Sequence, residues 1–220
     1  MPPMNSAAMR EGGQRREDGI INEGRLLLMG CGILKKEVRY LIGRNNWPVD
    51  AIFFDSALHC EFDKLSRCLT TELSRHAERD VVVFYGACHP LMERMLAEAH
   101  TFRTEGQNCV DMLLGNELFT RELLAGAFFL MEEWSRRWES ILSKTFGTQN
   151  WEVIREIFGG DRQYLLCLRT PCSGDFSREA EEAGRLVGLP LRWMDVELDH
   201  LEAVLAEAIN RKRKETVCRN

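Results

Sequence analysis

The stretch Asp80-Val81-Val82-Val83-Phe84-Tyr85-Gly86-Ala87-Cys88-His89-Pro90 decides the fold. Asp80–Tyr85 is almost wholly apolar, as a strand buried on both faces must be, and such strands belong to parallel sheets covered by helices. Gly86–Pro90 closes the strand with turn-forming residues, and Leu91–Ala99 follows at helical spacing. The same strand–loop–helix unit occurs twice upstream. Arg25–Met29 is an apolar strand, Gly30-Cys31-Gly32 a tight turn, and Ile33–Ile42 a helix. Val49–Phe54 is the second strand, Asp55–Cys60 its loop, and Asp63–His76 its helix.

Downstream, residues 101–108 read as a loop or short strand leading to Cys109, and Val110–Leu114 and Glu117–Leu124 read as helices. Ala127–Met131 is a strand candidate, and Trp134–Phe158 a long amphipathic stretch. Tyr164–Leu168 is a clear strand, followed by the turn Thr170–Asp175 and a helix over Phe176–Val187. Leu191–Met194 and Leu198–Asn210 supply a last strand and a last helix. Alternation of strand and helix predicts an α/β fold, a mostly parallel Rossmann-like sheet flanked by helices. Residues 24–210 form its single domain, 1–23 a polar disordered arm, and 211–220 a basic C-terminal tail.

The 220 residues suffice for one good-sized domain, and 45% hydrophobic content supports a true core. A formal net charge of -5, with no basic stripe carrying aromatics, argues against nucleic acid as partner. No apolar run reaches the length of a membrane span, and the N-terminus lacks the apolar core of a signal peptide. These features predict a cytoplasmic protein without membrane partners. Its eight cysteines are then expected as free thiols, available for ligand or catalytic work.

Strand ends of a parallel sheet lie along one edge, so residues remote in sequence meet there. Cys31, His59, Cys88 and Cys109 each follow an apolar run and precede a helical one. Three thiols and an imidazole so gathered suit zinc, in a closed or an open site, or a 4Fe-4S cluster held by three Cys with one open iron. The spacing alone is weak, with no Cys-x-x-Cys pair and no His-Glu-x-x-His. The alternative makes each Cys a small buried residue beside glycine at a tight turn. Cys68 and Cys167 fit that description, and Cys218 lies in the tail. His89 is a possible stand-in for His59. Cys60 is a further candidate, expected to point away because it adjoins His59. Asp55 is placed for acid/base work, or else as a helix cap. Asp111 suits the first turn of a helix. Glu132, Glu133 and Trp134 either close over a pocket or are solvated. Thr170–Asp175 is a possible anion loop, without the spacing of a nucleotide-triphosphate motif.

Gly30-Cys31-Gly32-Ile33-Leu34, Leu58-His59, Tyr85-Gly86-Ala87-Cys88, and Cys109 with Leu113-Leu114-Gly115 together resemble an uncharacterised family, domain of unknown function 1638. The resemblance runs from about Leu26 to about Leu205, in matching order and spacing. It implies a protein mostly of anaerobes, associated with corrinoid-dependent methyl transfer in one-carbon metabolism. Gln107-Asn108 stand where that pattern has His-Asp, and His89-Pro90 where it has Gly-Asn. Together, residues and resemblance lead to a metal-dependent methyltransferase. Zinc would be held by Cys31, Cys88, Cys109 and His59, with His59 or Asp55 as catalytic groups. Methyl transfer would involve a thiol, a corrinoid protein or a methyltransferase subunit. The rivals are a 4Fe-4S protein using its open iron for redox or Lewis-acid chemistry, and a non-enzymatic accessory that handles metal or corrinoid.

Overall fold

A computed structural model describes residues 25–218. The expectation for the arm 1–23 therefore falls outside the described residues. In chain order the strands are β1 (Leu26–Cys31), β2 (Val49–Phe54), β3 (Val81–Phe84), β4 (Ala127–Leu130), β5 (Tyr164–Arg169) and β6 (Leu191–Asp195). The helices are α1 (Lys35–Arg44), α2 (Phe62–Arg75), α3 (Met92–Glu98), α4 (Cys109–Leu114) and α5 (Asn116–Leu124), then α6 (Glu132–Ser135), α7 (Trp138–Phe146), α8 (Trp151–Asp161), α9 (Ser177–Val187) and α10 (Asp199–Val217). Short 3-10 turns, Gly32–Leu34 and Ser56–Cys60, follow β1 and β2.

The α/β class and the parallel pairing are as expected from the sequence. β1 lies between β2 and β3, parallel to both. The strands, however, fall into two sheets, β2-β1-β3 and β4-β5-β6, where one was expected. The edge of β3 shows why. Val83 donates its N–H to the Phe102 carbonyl at 3.0 Å, and Thr104 donates to the Val83 carbonyl at 2.9 Å. Residues 102–104 thus occupy the outer edge of β3, and an occupied edge accepts no further strand. β4 pairs with β5 instead.

Two apolar cores form, the larger joining the first sheet to one face of β4 and β5, the smaller on their other face. In the first, β1 and β3 are buried along their whole length, while edge strand β2 is half-buried. Leu201, Leu205, Ala208 and Ile209 of α10 return from the second half to complete it. In the second, Phe128, Trp138 and Phe158 pack ring against ring, with centroids 5.0–5.9 Å apart. The amphipathic stretch after Trp134 divides into α6, α7 and α8. Gly147, at φ 65°, ends α7 in the left-handed region, and the Asn150 side chain caps α8 by accepting the Glu152 N–H at 3.0 Å. The last helix continues past Asn210 to Val217, through the basic cluster, and Lys212 is buried with its Nζ 3.3 Å from the His100 carbonyl.

The carboxyl edges of the two sheets face one another and are joined by side chains. Arg137 binds both oxygens of Asp55, at 2.6 and 3.0 Å, and Glu133 at 2.9 Å. Ser56 donates to Glu133, Lys36 pairs with Glu132, and Thr170 donates to Glu37. The partly exposed ion pairs contribute little each, ~0–1 kcal/mol. Their effect is to fix orientation.

One glycine sets the distance between two loops of this edge. A Cβ on Gly86 would lie 2.2 Å from the Gln107 carbonyl oxygen and 2.5 Å from the Asn108 Cα. Ala87 also donates to that carbonyl, at 2.8 Å. Gly86→Ala should therefore destabilise the fold by ~1–3 kcal/mol, the usual cost of overpacking. Urea denaturation of the variant measures it, and an unchanged midpoint would mean that the two loops do not depend on this contact.

Candidate functional site

Register brings the strand ends together. Cys31 pairs with Phe54 across β1 and β2, and Gly30 with Phe84 across β1 and β3. Tyr85, Cys88 and the loop after Asp55 therefore start from the same edge. Cys109 enters from a different direction, as the first residue of α4. Asn108 caps that helix, accepting the Val110 and Asp111 N–H groups at 2.9 and 3.0 Å. Asp would serve equally there, so Asn108 keeps the role expected of the residue it replaces. Gln107 contributes its own N–H, donated to Asp111 Oδ2 at 2.6 Å.

These residues line one wall of a cavity of about 330 Å³. Cys31, His59, Tyr85, Cys88, Asn108 and Cys109 form the wall on the first sheet. The opposite wall is apolar and largely aromatic, including Phe119, Phe128, Phe129, Trp134, Phe146 and Phe158. Three thiols thus face an apolar chamber between the two sheets.

The thiols are not equivalent. The buried Cys109 thiol is hydrogen-bonded to Cys31, and that bond is the main reason the Cys31 thiol titrates lower than usual, with help from the His59 charge. The same bond, with burial, drives the Cys109 thiol up. Burial, then the charge on Cys31, pushes Cys88 up to about 11. Tyr85 is raised too, by burial first and then by Cys31, Cys109 and Cys88, so it stays a neutral phenol. Its hydroxyl is buried and has no hydrogen-bond partner.

His59 is held from three sides. Its Nδ1 lies 2.6 Å from the Ser56 carbonyl, its Nε2 3.3 Å from Cys60 Sγ, and its ring stacks on Trp134 with centroids 4.7 Å apart. A carbonyl only accepts, so Nδ1 carries the proton and Nε2 faces the sulfur as a base. Burial opposes charge on the ring, but Cys60, the Ser56 carbonyl and Cys31 together outweigh it and raise its pKa.

Cys60 is not among the residues lining the cavity, but its sulfur has partners of its own. Its sulfur sits between His59 Nε2 and Thr145 Oγ1, the latter at 3.2 Å. Burial raises Cys60, yet the His59 and Thr145 hydrogen bonds and the His59 and Lys144 charges prevail and lower it. The direction expected for Cys60 suits a strand, where neighbours alternate, but Cys60 lies in a 3-10 turn.

The other candidates do structural work. Asp55 caps the turn Ser56–Cys60, accepting the Ala57 N–H at 2.9 Å, and gives both oxygens to Arg137. His89 accepts the Leu91 N–H on Nδ1 at 3.0 Å and meets Phe62 edge-on. Neither lines the cavity. Glu132 and Glu133 join the sheets, and Trp134 closes the cavity over His59. In the loop after β5, the Thr170, Cys172 and Gly174 N–H groups bond to Ser173, Thr170 and Glu132 side chains, which leaves these three no N–H for an anion. Cys68 and Cys167 lie in α2 and β5, and Cys218 is exposed. Among the described residues, no group of three or more His, Cys, Asp or Glu is arranged to hold a metal ion. No helix among them is long and apolar enough to cross a membrane.

A family described as "Protein of unknown function (DUF1638)" matches residues 53–205. The chain belongs to this family. The matched span includes His59, Cys60, Cys88 and Cys109, while Cys31 precedes it. Among curated proteins there is no match.

Glu37 tests how the facing edges respond to pH. It is 4% exposed and accepts the Thr170 hydroxyl at 2.7 Å, and burial raises its pKa. A raised carboxyl contributes stability that is complete below the ordinary value, ~4.3, and lost as pH climbs through the raised one. Glu37→Gln keeps the acceptor and removes the charge. Its melting temperature should match that of the wild type near pH 4 and exceed it at pH 7. A difference independent of pH would show that Glu37 does not carry this linkage.

Proposed function

We propose that this protein is a metal-dependent group-transfer protein of one-carbon metabolism. Cys31, Cys88 and Cys109 hold a thiophilic ion, zinc in the first instance. The chemistry is methyl transfer to or from a thiol or a partner's corrinoid. The observation supporting this reading is the meeting of three thiols on one wall of an apolar chamber. The donor type suits the ion, because three soft sulfur donors line the same cavity. To share one ion, Cys88 must close on the Cys31–Cys109 pair. The unpartnered Tyr85 hydroxyl is left to bind an atom brought in at the same place.

Zinc in that place would supply a Lewis acid that binds a thiol and keeps it deprotonated at neutral pH. The protein's own residues do the rest. His59 Nε2 takes the proton that the incoming thiol gives up. Its Nδ1–H stays on the Ser56 carbonyl, which keeps the tautomer constant. The aromatic wall receives the apolar part of the substrate and excludes water. At about 330 Å³ the cavity is at the small end for a ligand site, so a corrinoid would be carried by a partner.

A 4Fe-4S cluster on the same three Cys is a second reading, favoured by one observation. Both nitrogens of His59 already have protein partners, which leaves three sulfur donors and one open iron. Anaerobic metal analysis with visible absorption separates the two. Cys31→Ser, Cys88→Ser and Cys109→Ser should each weaken metal binding ~10-fold or more, since even an outer-shell change costs that much. Cys68→Ser and Cys218→Ser should leave metal content unchanged. Equal content across all five variants would reduce the three thiols to packing residues.

A further inference from the structure

We propose that Cys60 and His59 form a nucleophile–base pair at the rim of the cavity, and that it takes an acyl group from an ester or thioester whose acyl part is apolar. The inference does not rest on the metal reading. It shares His59 with it but none of the three thiols.

The geometry is that of an activated nucleophile: a sulfur within reach of a ring nitrogen, and a third group fixing the ring. Cys60 Sγ lies 3.3 Å from His59 Nε2, and the Ser56 carbonyl lies 2.6 Å from Nδ1. Stacking on Trp134 prevents the ring from turning away. Thr145 Oγ1 stands 3.2 Å from the sulfur on its other side. The groups facing Cys60 come from two elements. His59 and Glu61 flank it in sequence, while α7 brings Thr145 and Lys144, with Lys144 paired to Glu61 at 3.1 Å. Facing His59 are Cys60 and, across the cavity wall, Cys31.

Cys60 is half-buried, and both groups that hold its sulfur line the cavity. Cys60 itself is not among the lining residues, so the proposal places the reacting carbonyl beside His59 and Thr145, with the apolar part of the substrate in the aromatic chamber. Two donors of that chamber have no partner, the Tyr85 hydroxyl, 1% exposed as a residue, and the Trp134 indole N–H. A carbonyl oxygen that gathers negative charge needs such donors.

The step balances without an oxidant or reductant. The Cys60 thiol gives its proton to His59 Nε2, and the sulfur attacks the carbonyl carbon, forming a C–S bond. The bond to the leaving oxygen or sulfur breaks. Its electron pair departs with the leaving group, which takes the proton from His59. Water then attacks the thioester, gives a proton to His59, and releases the acid. The Cys60 sulfur recovers its proton.

The test uses the full chain and p-nitrophenyl hexanoate, with mass spectrometry to locate the acyl group. The expected result is a burst of up to one p-nitrophenolate per chain, with the hexanoyl mass on the Cys60 peptide and slower reaction with the acetyl ester. Cys60→Ser should abolish burst and label and keep the wild-type metal content, so this inference and the metal reading fail separately. His59→Asn should slow acylation ~100-fold, the lower end of general-base contributions. If that variant does not fold, the pH profile of acylation at Cys60 is compared with that at exposed Cys218 in the wild type, and Cys60 should react at the lower pH. The proposal is overturned by no label on Cys60, by label confined to Cys31, Cys88 or Cys109, by an unchanged rate in a folded His59→Asn, or by matching profiles at Cys60 and Cys218.

Discussion

Everything distinctive about this structure follows from two hydrogen bonds on the outer edge of β3. Val83 bonds to residues 102 and 104, and this short cover closes the first sheet after three strands. β4 pairs with β5 in a second sheet, and side chains join the carboxyl edges of the two sheets. The cavity is the space between two such edges. Parallel strands bind ligands outside their carboxyl ends because the loops there vary without disturbing the sheet. Here the first sheet's strand ends supply thiols and an imidazole, while β4 and the helices α5, α6, α7 and α8 supply aromatic rings to the same chamber.

That division has electrostatic consequences. An apolar wall raises the cost of charge on everything facing it. A specific partner offsets that cost at two thiols, Cys31 beside Cys109 and Cys60 beside His59, and lowers their pKa. At Cys88 burial prevails and pushes the thiol up to about 11. The environment thus separates the pKa values of chemically identical side chains.

Much of this was legible in the sequence, for identifiable reasons. Asp80–Tyr85 announced a buried parallel strand because an uninterrupted apolar run has few other uses at that length. Cys31, His59 and Cys88 follow β1, β2 and β3 as the sequence suggests, whereas Cys109 reaches the same cavity as the first residue of α4 and not from a strand end. The division into two sheets was not legible, because the residues that cap β3 are too few and too mixed to show a period. The breaks between α6, α7 and α8 were marked by Gly147 and Asn150, but the steady apolar spacing hid them. Cys60 was set aside by a rule of alternation that belongs to strands. In a 3-10 turn, adjacent side chains diverge by about a third of a circle, and a long imidazole can reach back. The opposite errand of Asp55, a cap and clamp, depended on Arg137, far away in sequence.

The return of α10 to the first sheet bears on how the chain is made. Its apolar face completes a core whose strands are the first to be synthesised, and it lies at the other end of the protein. Emerging from the ribosome, the N-terminal half therefore exposes the surface that Leu201, Leu205 and Ile209 will cover until translation is nearly finished. Domains usually fold as units during synthesis. The core behind the thiol-bearing wall is therefore complete only once α10 has docked.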